Sequence, residues 1–317
     1  MNDEICRSDG GKRQEAVMNL RECTLCPRMC RVNRAAGQRG YCGMGGTVRA
    51  ARAALHMWEE PCISGERGSG AVFFSGCTLR CVFCQNREIA EGSCGKEISA
   101  ERLCEIFLEL QEKGAANINL VTASHFALQV TEALKCAKSL GLTIPVVYNT
   151  GGYERVETLR MLEPVVDVWL PDFKYMDPEL GEKYSRAKDY PQVAAKAVEE
   201  MVRQAGECVF DEDGYIKKGV IVRHLILPGH TADSKAVLRY LYETYGDKIY
   251  ISVMNQYTPL AHTAGMPPLN RRVTKREYGR VLDYALELGI EQGYFQEGAT
   301  AEESFIPMFD YEGIFNK

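Results

Sequence analysis

Six strand-like runs alternate with helix-like runs between Ala71 and Leu288. Each short apolar run is followed by a longer run in which apolar residues have helical spacing. A chain that alternates in this way builds a parallel sheet, because each helical crossover returns it in the same direction. Six such units predict an α/β fold with a partial TIM-type (β/α)6 barrel, and an open doubly wound sheet is the alternative. The predicted strands are 71–76, 117–122, 143–150, 165–171, 220–227 and 248–254, and the predicted helices are 99–113, 127–140, 155–162, 190–205, 234–245 and 275–288.

Three cysteines follow the first predicted strand directly, in the stretch GCTLRCVFCQN. Functional residues of parallel α/β folds lie at the carboxyl ends of the strands, so these cysteines stand where a site is expected. Cys77, Cys81 and Cys84 have C-x3-C-x2-C spacing, and thiolates suit iron–sulfur clusters or zinc. Three thiolates on a [4Fe–4S] cluster leave one iron open to bind a substrate. A loop of buried thiols, or three of four zinc ligands, is the plainer alternative.

Residues 1–66 are predicted to form an N-terminal segment with a small Cys-rich module ahead of a barrel over 67–317, and a short helix is predicted over QEAVMNLREC. The module has little apolar periodicity but four cysteines with C-x2-C-x3-C-x11-C spacing: Cys23, Cys26, Cys30 and Cys42. Such a group predicts a closed metal site that holds the segment together. Zinc and a second [4Fe–4S] cluster both take four thiolates. We favour the cluster, because the protein already needs iron–sulfur assembly.

The same segment carries four arginines: Arg28, Arg31, Arg34 and Arg39. They are expected to form a solvated basic face rather than to offset the charge of the thiolates or to meet an acidic partner.

Composition limits the class of protein. The 317 residues are 45% hydrophobic and 26% charged, and a net charge of −5 does not favour binding to nucleic acid. No run approaches the ~18–20 apolar residues of a membrane-spanning helix, and the first residues lack the apolar core of a secretory signal. Thirteen cysteines in such a chain favour metal or redox chemistry over disulfides. We therefore expect a cytoplasmic protein without nucleic-acid or membrane partners.

The cysteine triplet, with Phe83 before its last cysteine and a strand before its first, resembles the signature of the radical S-adenosylmethionine superfamily. The segments VVYNTGGY, WLPDFKYM and RHLILPG are similar to those of pyruvate formate-lyase activating enzymes and their uncharacterised relatives. The resemblance implies that S-adenosylmethionine binds the open iron through its methionyl amino and carboxylate groups. It also implies an external one-electron donor, of flavodoxin or ferredoxin type. The reduced cluster would then cleave the sulfonium, giving methionine and a 5′-deoxyadenosyl radical that abstracts hydrogen.

The resemblance further implies cofactor-binding residues, each placed after a predicted strand. Asn149 and Thr150, in YNTGG, are expected near the ribose. Asp172 and Lys174, in LPDFK, are expected at the cofactor, with a solvated ion pair on a loop as the alternative.

Two other strand ends carry candidates. Family members usually have a Gly-Gly-Glu-type segment after the second strand, whereas this chain has LVTASHFA. Ser124 and His125 are expected to offer polar contacts there, unless His125 merely caps the following helix. Arg223 interrupts the apolar run VIVRHLIL, and an arginine in a barrel strand needs a partner because unpaired burial is costly. We expect Arg223 to point inward toward cofactor or substrate, and an outward pair with a helix carboxylate is the alternative.

The resemblance implies an oxidoreductase of the activating-enzyme type, which would take a Cα hydrogen from a glycine of a partner glycyl radical enzyme. A partial barrel admits an extended peptide more easily than a closed one does. The alternative keeps the same radical chemistry but acts on a small molecule or on a protein side chain. A non-catalytic metal-binding scaffold is a third hypothesis, and the open cluster argues against it.

Overall fold

A ten-stranded sheet organises the residues that this computed structural model describes, 20–296 and 307–315. The strands are β1 (Val48–His56), β2 (Ser69–Phe74), β3 (Lys96–Ile98), β4 (Ile118–Val121), β5 (Val146–Thr150), β6 (Val168–Pro171), β7 (Val209–Phe210), β8 (Ile216–Leu225), β9 (Tyr250–Met254) and β10 (Gly293–Phe295). The helices are α1 (Pro61–Ser64), α2 (Arg87–Glu91), α3 (Ala100–Glu112), α4 (Ala127–Ser139), α5 (Val156–Leu162), α6 (Pro178–Ser185), α7 (Tyr190–Ala205), α8 (Thr231–Tyr245) and α9 (Lys275–Leu288). Most of the helix predicted over QEAVMNLREC lies outside the described residues.

The order of the strands confirms the partial barrel. Neighbouring strands run β10-β9-β8-β6-β5-β4-β2-β1-β3, with β7 paired to β8. From β2 to β10 the parallel strands follow chain order, whereas a doubly wound sheet reverses direction at a switch point. Within the described residues the two outer strands, β3 and β10, do not pair, so the barrel stays open.

The observed elements differ from the prediction mainly at the edges of the sheet. All six predicted helices are present, and each end lies within three residues of its expected position. Strands β1, β3, β7 and β10 were not predicted, and β3 and β10 are the outer strands of the sheet. The first of these, β1, pairs antiparallel to β2, with His56 opposite Ser69, so it enters the sheet from before the boundary predicted at residue 66. Its sequence VRAARAALH has weak strand propensity, and pairing with β2 compensates for that.

Alternating strand residues divide between the lumen of the barrel and the helix layer. Tyr148 and Trp169 face the helices, where their rings meet edge to face at 5.4 Å. The amino end of the lumen is filled by an apolar cluster that joins strand residues to α1: Val147, Val168, Leu170, Ile216, Ile221, Cys62 and Ile63. Because this end is packed, ligands have access only from the carboxyl ends of the strands.

The C-terminal segment 307–315 lies along β1 at the other side of the opening. The Tyr311 N–H donates to the Ala51 carbonyl at 3.1 Å, and the Ala53 N–H donates to the Glu312 carbonyl at 2.8 Å. Phe309 packs against Phe73 of β2, with ring centroids 5.7 Å apart. This segment therefore covers part of the sheet edge that β3 leaves free. Among the described residues, no helix is long and apolar enough to cross a membrane.

Candidate functional site

The cysteine loop begins where β2 ends at the carboxyl edge of the sheet. The chain turns at Gly76, whose φ of +88° lies in the region that favours glycine. A Cβ at Gly76 would lie 2.5 Å from Met44 Cγ and 2.8 Å from the Cys42 carbonyl oxygen. The backbone around Cys42 is thus packed directly against the residue that precedes Cys77. The two cysteine groups of the chain are neighbours at this point.

Hydrogen-bond donors surround the sulfur atoms of the loop. The N–H groups of Leu79 and Arg80 point at Cys77 Sγ from 3.4 and 3.5 Å. The Ser185 hydroxyl at the end of α6 donates to Cys81 Sγ at 3.0 Å. Donors in these positions stabilise thiolates, which are the form that binds metals.

The three thiols of the loop lie close enough to repel one another as thiolates. Burial raises the pKa of Cys84 to about 12, and the charges of Cys77 and Cys81 raise it as well. Burial also raises the pKa of Cys81, against the opposing effect of Lys174. In the part of the chain that the structure describes, no three His, Cys, Asp or Glu side chains converge tightly enough to enclose a metal ion as they stand. The donor chemistry fits an iron–sulfur cluster, and the ligand assignment remains a prediction.

Arg223 points into the lumen, as expected, and all three of its guanidinium nitrogens have partners. Its Nε donates to Asp172 Oδ1 at 3.0 Å, its Nη1 to Glu59 Oε2 at 3.0 Å and its Nη2 to Asn149 Oδ1 at 2.5 Å. Lys174 Nζ donates to the other oxygen of Asp172 at 2.6 Å. The side chains of Asp172 and Lys174 are only 17% and 15% exposed, so the pair is not a solvated loop contact. Four predicted residues thus meet, and Glu59 joins them without any signal in the sequence.

Thr150 and Ser124 lie apart from that group. Along β5, Asn149 faces the lumen, whereas Thr150 follows Tyr148 on the face toward the helices. The hydroxyls of Thr150 and Ser124 both donate to Oε1 of Glu154. Burial raises the pKa of Glu154 to about 7, and its Oε2 has no hydrogen-bond partner among the described residues. The structure therefore brings Thr150 and Ser124 to a buried carboxyl group rather than to Asn149.

His125 contacts the backbone just before the cysteine loop. Its ring is buried, and Nε2 donates to the Ser75 carbonyl at 2.7 Å. Burial and the nearby Arg34 lower the pKa of His125 to about 3, so the ring is neutral near pH 7. The alternative in which His125 caps the next helix is wrong, because no side chain caps the amino end of α4.

The four N-terminal cysteines lie near one another in the module. Cys23, Cys26 and Cys42 are buried. Burial raises the pKa of Cys26 to about 12, with further contributions from Cys42 and Cys23. Cys30 belongs to the same group, since its charge contributes to the raised pKa of Cys42. A Cβ at Gly40 would lie 2.3 Å from Cys30 Sγ, so the backbone approaches that sulfur closely.

Arg34 lies in the interior of this module, with 1% of its surface exposed. Nε and Nη2 donate to the Gly45 carbonyl at 3.0 and 2.6 Å, and Nη1 donates to the His125 carbonyl at 2.5 Å. Nη1 also contacts Cys23 Sγ at 3.7 Å. The guanidinium thus ties the module to the turn before α4, and a thiol sulfur is among its acceptors.

Arg28 and Tyr41 attach the module to the cysteine loop. Arg28 Nε donates to the Thr78 carbonyl at 2.8 Å, and Nη2 donates to the Ser185 carbonyl at 3.0 Å. Tyr41 Oη donates to the Leu79 carbonyl at 3.2 Å. The docking therefore reaches both the loop and the residue whose hydroxyl contacts Cys81.

The four arginines of the module consequently divide into two pairs. Arg28 and Arg34 make structural contacts, so the expected solvated basic face is wrong for them. Arg31 and Arg39 are exposed, and Arg31 lies 3.4 Å from Glu22 across a surface pair. Surface pairs of this kind contribute little to stability.

A cavity of about 590 Å³ opens beside the cysteine loop. Its walls come from the loop and α2, from the turn after β9 and from the C-terminal segment: Cys84, Gln85, Arg87, Glu88, Leu260, Ala261, His262, Pro307, Met308 and Phe309. The wall from the C-terminal segment is apolar and the α2 side is charged. Because Cys84 lines it, the cavity gives a second molecule access to whatever the cysteines bind.

Comparison with known proteins gives one match to a protein-family model, that of the Radical SAM superfamily, over residues 71–241. This region is more than half of the 317 residues and contains the cysteine triplet. The uncharacterized protein MJ0674 of Methanocaldococcus jannaschii is 29% identical over 289 residues, which cover 88% of this chain and 79% of that protein.

Two solved structures are similar in fold. HydG, a maturase of the [FeFe]-hydrogenase, has a TM-score of 0.52 at 14% identity, over 77% of this chain and 56% of HydG. A domain of pyruvate-formate lyase-activating enzyme from Bacteroides vulgatus has a TM-score of 0.40 at 12% identity, over 54% of this chain and 92% of that domain. The chain thus spans little more than half of HydG. At these identities the likeness concerns the fold alone.

Proposed function

The chain belongs to the radical SAM superfamily, and we propose that Cys77, Cys81 and Cys84 hold its [4Fe–4S] cluster with S-adenosylmethionine at the open iron. When bound, these groups supply a 5′-deoxyadenosyl radical that abstracts hydrogen from a substrate. The observation that carries the proposal is the partly buried thiol triplet at the carboxyl end of β2, with donors aimed at two of its sulfurs. The packed amino end of the lumen leaves the carboxyl ends of the strands as the side from which a ligand enters.

The lumen supplies the groups that would bind the cofactor. Lys174 lies between the carboxylate of Asp172 and the loop, where it lowers the pKa of Cys81. An ammonium in this place is suited to the methionyl carboxylate. Asp172 and Asn149 offer oxygen acceptors for hydroxyl groups of the ribose. Ser124 and Thr150 are bonded to Glu154, so we assign them to the support of the site, together with His125.

The substrate is proposed to be a protein, as in an activating enzyme that generates a glycyl radical. The cavity beside Cys84 supports this assignment, because its charged and apolar walls suit a peptide segment and it is open to solvent. A glycine Cα–H bond is weak, since the product radical is stabilised by the two adjoining peptide groups. The second candidate is the same chemistry on a small molecule or on a protein side chain, which the same cavity accommodates.

A reconstitution experiment tests the function. Anaerobically reconstituted protein, reduced with dithionite, is expected to release 5′-deoxyadenosine from S-adenosylmethionine and to change its cluster EPR signal when the cofactor is added. Incubation with pyruvate formate-lyase as the probe is expected to give a glycyl doublet. Cleavage without a doublet favours the second candidate. Absence of both cleavage and the EPR change contradicts the enzymatic function.

We further propose that Cys23, Cys26, Cys30 and Cys42 hold a second [4Fe–4S] cluster, which passes electrons from a flavodoxin- or ferredoxin-type donor. Arg34 supports an anionic site here, because a buried guanidinium beside Cys23 needs compensating negative charge. The packing of Cys42 against Gly76 supports a short path to the first site. Zinc at these cysteines is the alternative, and it would make the module purely structural.

Metal content distinguishes the two possibilities. The wild-type protein is expected to carry about eight irons and no zinc, and Cys23→Ala about four irons, since each cluster holds four. The measurement is iron and zinc by plasma mass spectrometry after anaerobic purification. Cys208→Ala is the matched control, because Cys208 belongs to neither group, and it is expected to keep all the iron. One zinc and about four irons in the wild-type protein would contradict the second cluster.

A further inference from the structure

We propose that Glu59 is a positioning residue for cofactor binding, which holds Arg223 and Asn149 in place from the amino end of the barrel. The inference rests on the proposed function, in which Asn149, Asp172 and Lys174 bind S-adenosylmethionine. It adds a residue from a turn that carries no recognisable motif.

The turn between β1 and α1 inserts Glu59 into the lumen. Because β1 runs antiparallel to β2, it ends at the amino end of the parallel strands. The Glu59 N–H donates to the Ser64 hydroxyl at 3.1 Å, and that hydroxyl donates to the His56 carbonyl at 3.1 Å. The backbone of Glu59 is therefore fixed, and its side chain is only 9% exposed.

The carboxylate of Glu59 joins three strands of the barrel. Its Oε1 accepts from Asn119 Nδ2 of β4 at 3.0 Å and from Asn149 Nδ2 of β5 at 3.2 Å. Its Oε2 accepts from Arg223 Nη1 of β8 at 3.0 Å. The amide group of Asn149 is thereby oriented, so that its oxygen faces Arg223 Nη2. Of these partners, Asn149 is a proposed cofactor residue, and Arg223 bonds to two such residues, Asp172 and Asn149.

The lumen pairs two cationic side chains with two acidic ones, and Glu59 is one of the acidic pair. Arg223 and Lys174 provide two positive charges, and Asp172 and Glu59 provide two negative charges. The neighbouring Glu60 is fully buried, and its burial raises its pKa in spite of the nearby Arg223. Its Oε2 has no hydrogen-bond partner among the described residues.

Loss of the charge on Glu59 changes what Arg223 does. With the carboxylate of Glu59 removed, the guanidinium keeps Asp172 as its ion-pair partner, and it competes there with Lys174. Glutamine keeps a single acceptor oxygen for the three donors that the carboxylate of Glu59 serves, so the amide of Asn149 is no longer fixed together with Arg223. Asn149 and Asp172, two of the proposed cofactor residues, are then displaced, whereas the cysteine loop on β2 keeps its own contacts.

The test is the affinity of reconstituted Glu59→Gln for S-adenosylmethionine. The dissociation constant, from EPR titration of the reduced cluster, is expected to rise about tenfold. The rate of 5′-deoxyadenosine release at saturating cofactor should stay within about twofold, with unchanged iron content. A purely structural role would instead lower iron content, melting temperature and saturated rate together, and that result would overturn the proposal. An unchanged dissociation constant would overturn it too.

Glu60→Gln is the matched control, because it makes the same substitution at the adjacent buried glutamate. The Oε2 atom of Glu60 has no hydrogen-bond partner among the described residues, so the dissociation constant of Glu60→Gln should stay within about twofold of wild type. If Glu59→Gln loses iron but keeps its melting temperature, Glu59→Asp decides: its shorter side chain does not reach all three partners, and a rise of about threefold is expected. An unchanged value for Glu59→Asp rejects the positioning role. Wild-type protein that does not bind the cofactor refutes the proposed function instead.

Discussion

Replacement of Cys81 by alanine is expected to abolish release of 5′-deoxyadenosine, with a loss of at least about 10³-fold. A 10³-fold loss of rate corresponds to about 4 kcal/mol of lost transition-state stabilisation. Loss of a cluster ligand is expected to cost more than this. Two of the three thiolates would remain, together with a serine hydroxyl at Ser185 whose sulfur partner is gone. The reduced protein should also lose the EPR signal of its site-differentiated cluster. Both are measured after anaerobic reconstitution.

The control for Cys81→Ala is Cys136→Ala, on helix α4 outside both cysteine groups. It tests whether loss of any one thiol disturbs cluster assembly, and it is expected to retain full iron content and cleavage. Cleavage by the Cys81→Ala protein at a rate near that of Cys136→Ala would reject the ligand assignment.

The second large effect is expected at Arg34, whose replacement by methionine should lower the free energy of unfolding by about 3–5 kcal/mol. Methionine fills much of the same volume but provides no donors for the carbonyls of Gly45 and His125. Breaking a buried charged contact has a cost of this size, because its former partners stay buried. We also expect the N-terminal module to become sensitive to protease before the barrel does. Denaturant unfolding and limited proteolysis of the reconstituted protein measure the two effects.

Arg39→Met is the control for Arg34→Met, because Arg39 belongs to the same module but is exposed. Surface substitutions usually change stability by less than about 0.5 kcal/mol. Equal losses in the two variants would show that burial of Arg34 does not anchor the module.

The helices and the central strands could be predicted because their signals are local. Helix α3, for example, begins at Ser99, whose hydroxyl accepts from the Arg102 N–H. The placement of the cysteines also followed, since parallel strands bring their carboxyl ends to one edge. In contrast, β1 is stabilised by pairing with β2 rather than by its own residues, and a propensity pattern does not detect such pairing.

The polar residues of the site were predicted less well than the cysteines. Arg223 was recognised because a charge in an apolar strand needs a partner, but the partner Glu59 lies 164 residues away in the chain. Thr150, which was expected near the ribose, lies on the opposite face of β5 from Asn149, because successive strand residues alternate between the two faces. The family resemblance assigned Asn149 and Thr150 to the same ligand, whereas the alternation of strand residues places them on opposite faces of β5.

The attachment of residues 307–315 to β1 means that the side chains which shape the cavity are mostly different from the groups which stabilise the barrel. Much of the attachment is through the main chain: Ala51 and Ala53 pair with its backbone, and Arg102 binds the carbonyls of Gly313 and Ile314. The side chains of Phe309, Asp310 and Glu312 add contacts with Phe73 and Arg52. Side chains at its beginning, including the 77% exposed Met308, are not needed for that attachment. Substitution of those side chains therefore reshapes one wall of the cavity beside the cysteine loop, whereas the hydrogen bonds that hold the segment to β1 persist. Substitutions at these few positions are therefore expected to change substrate preference at small cost to folding.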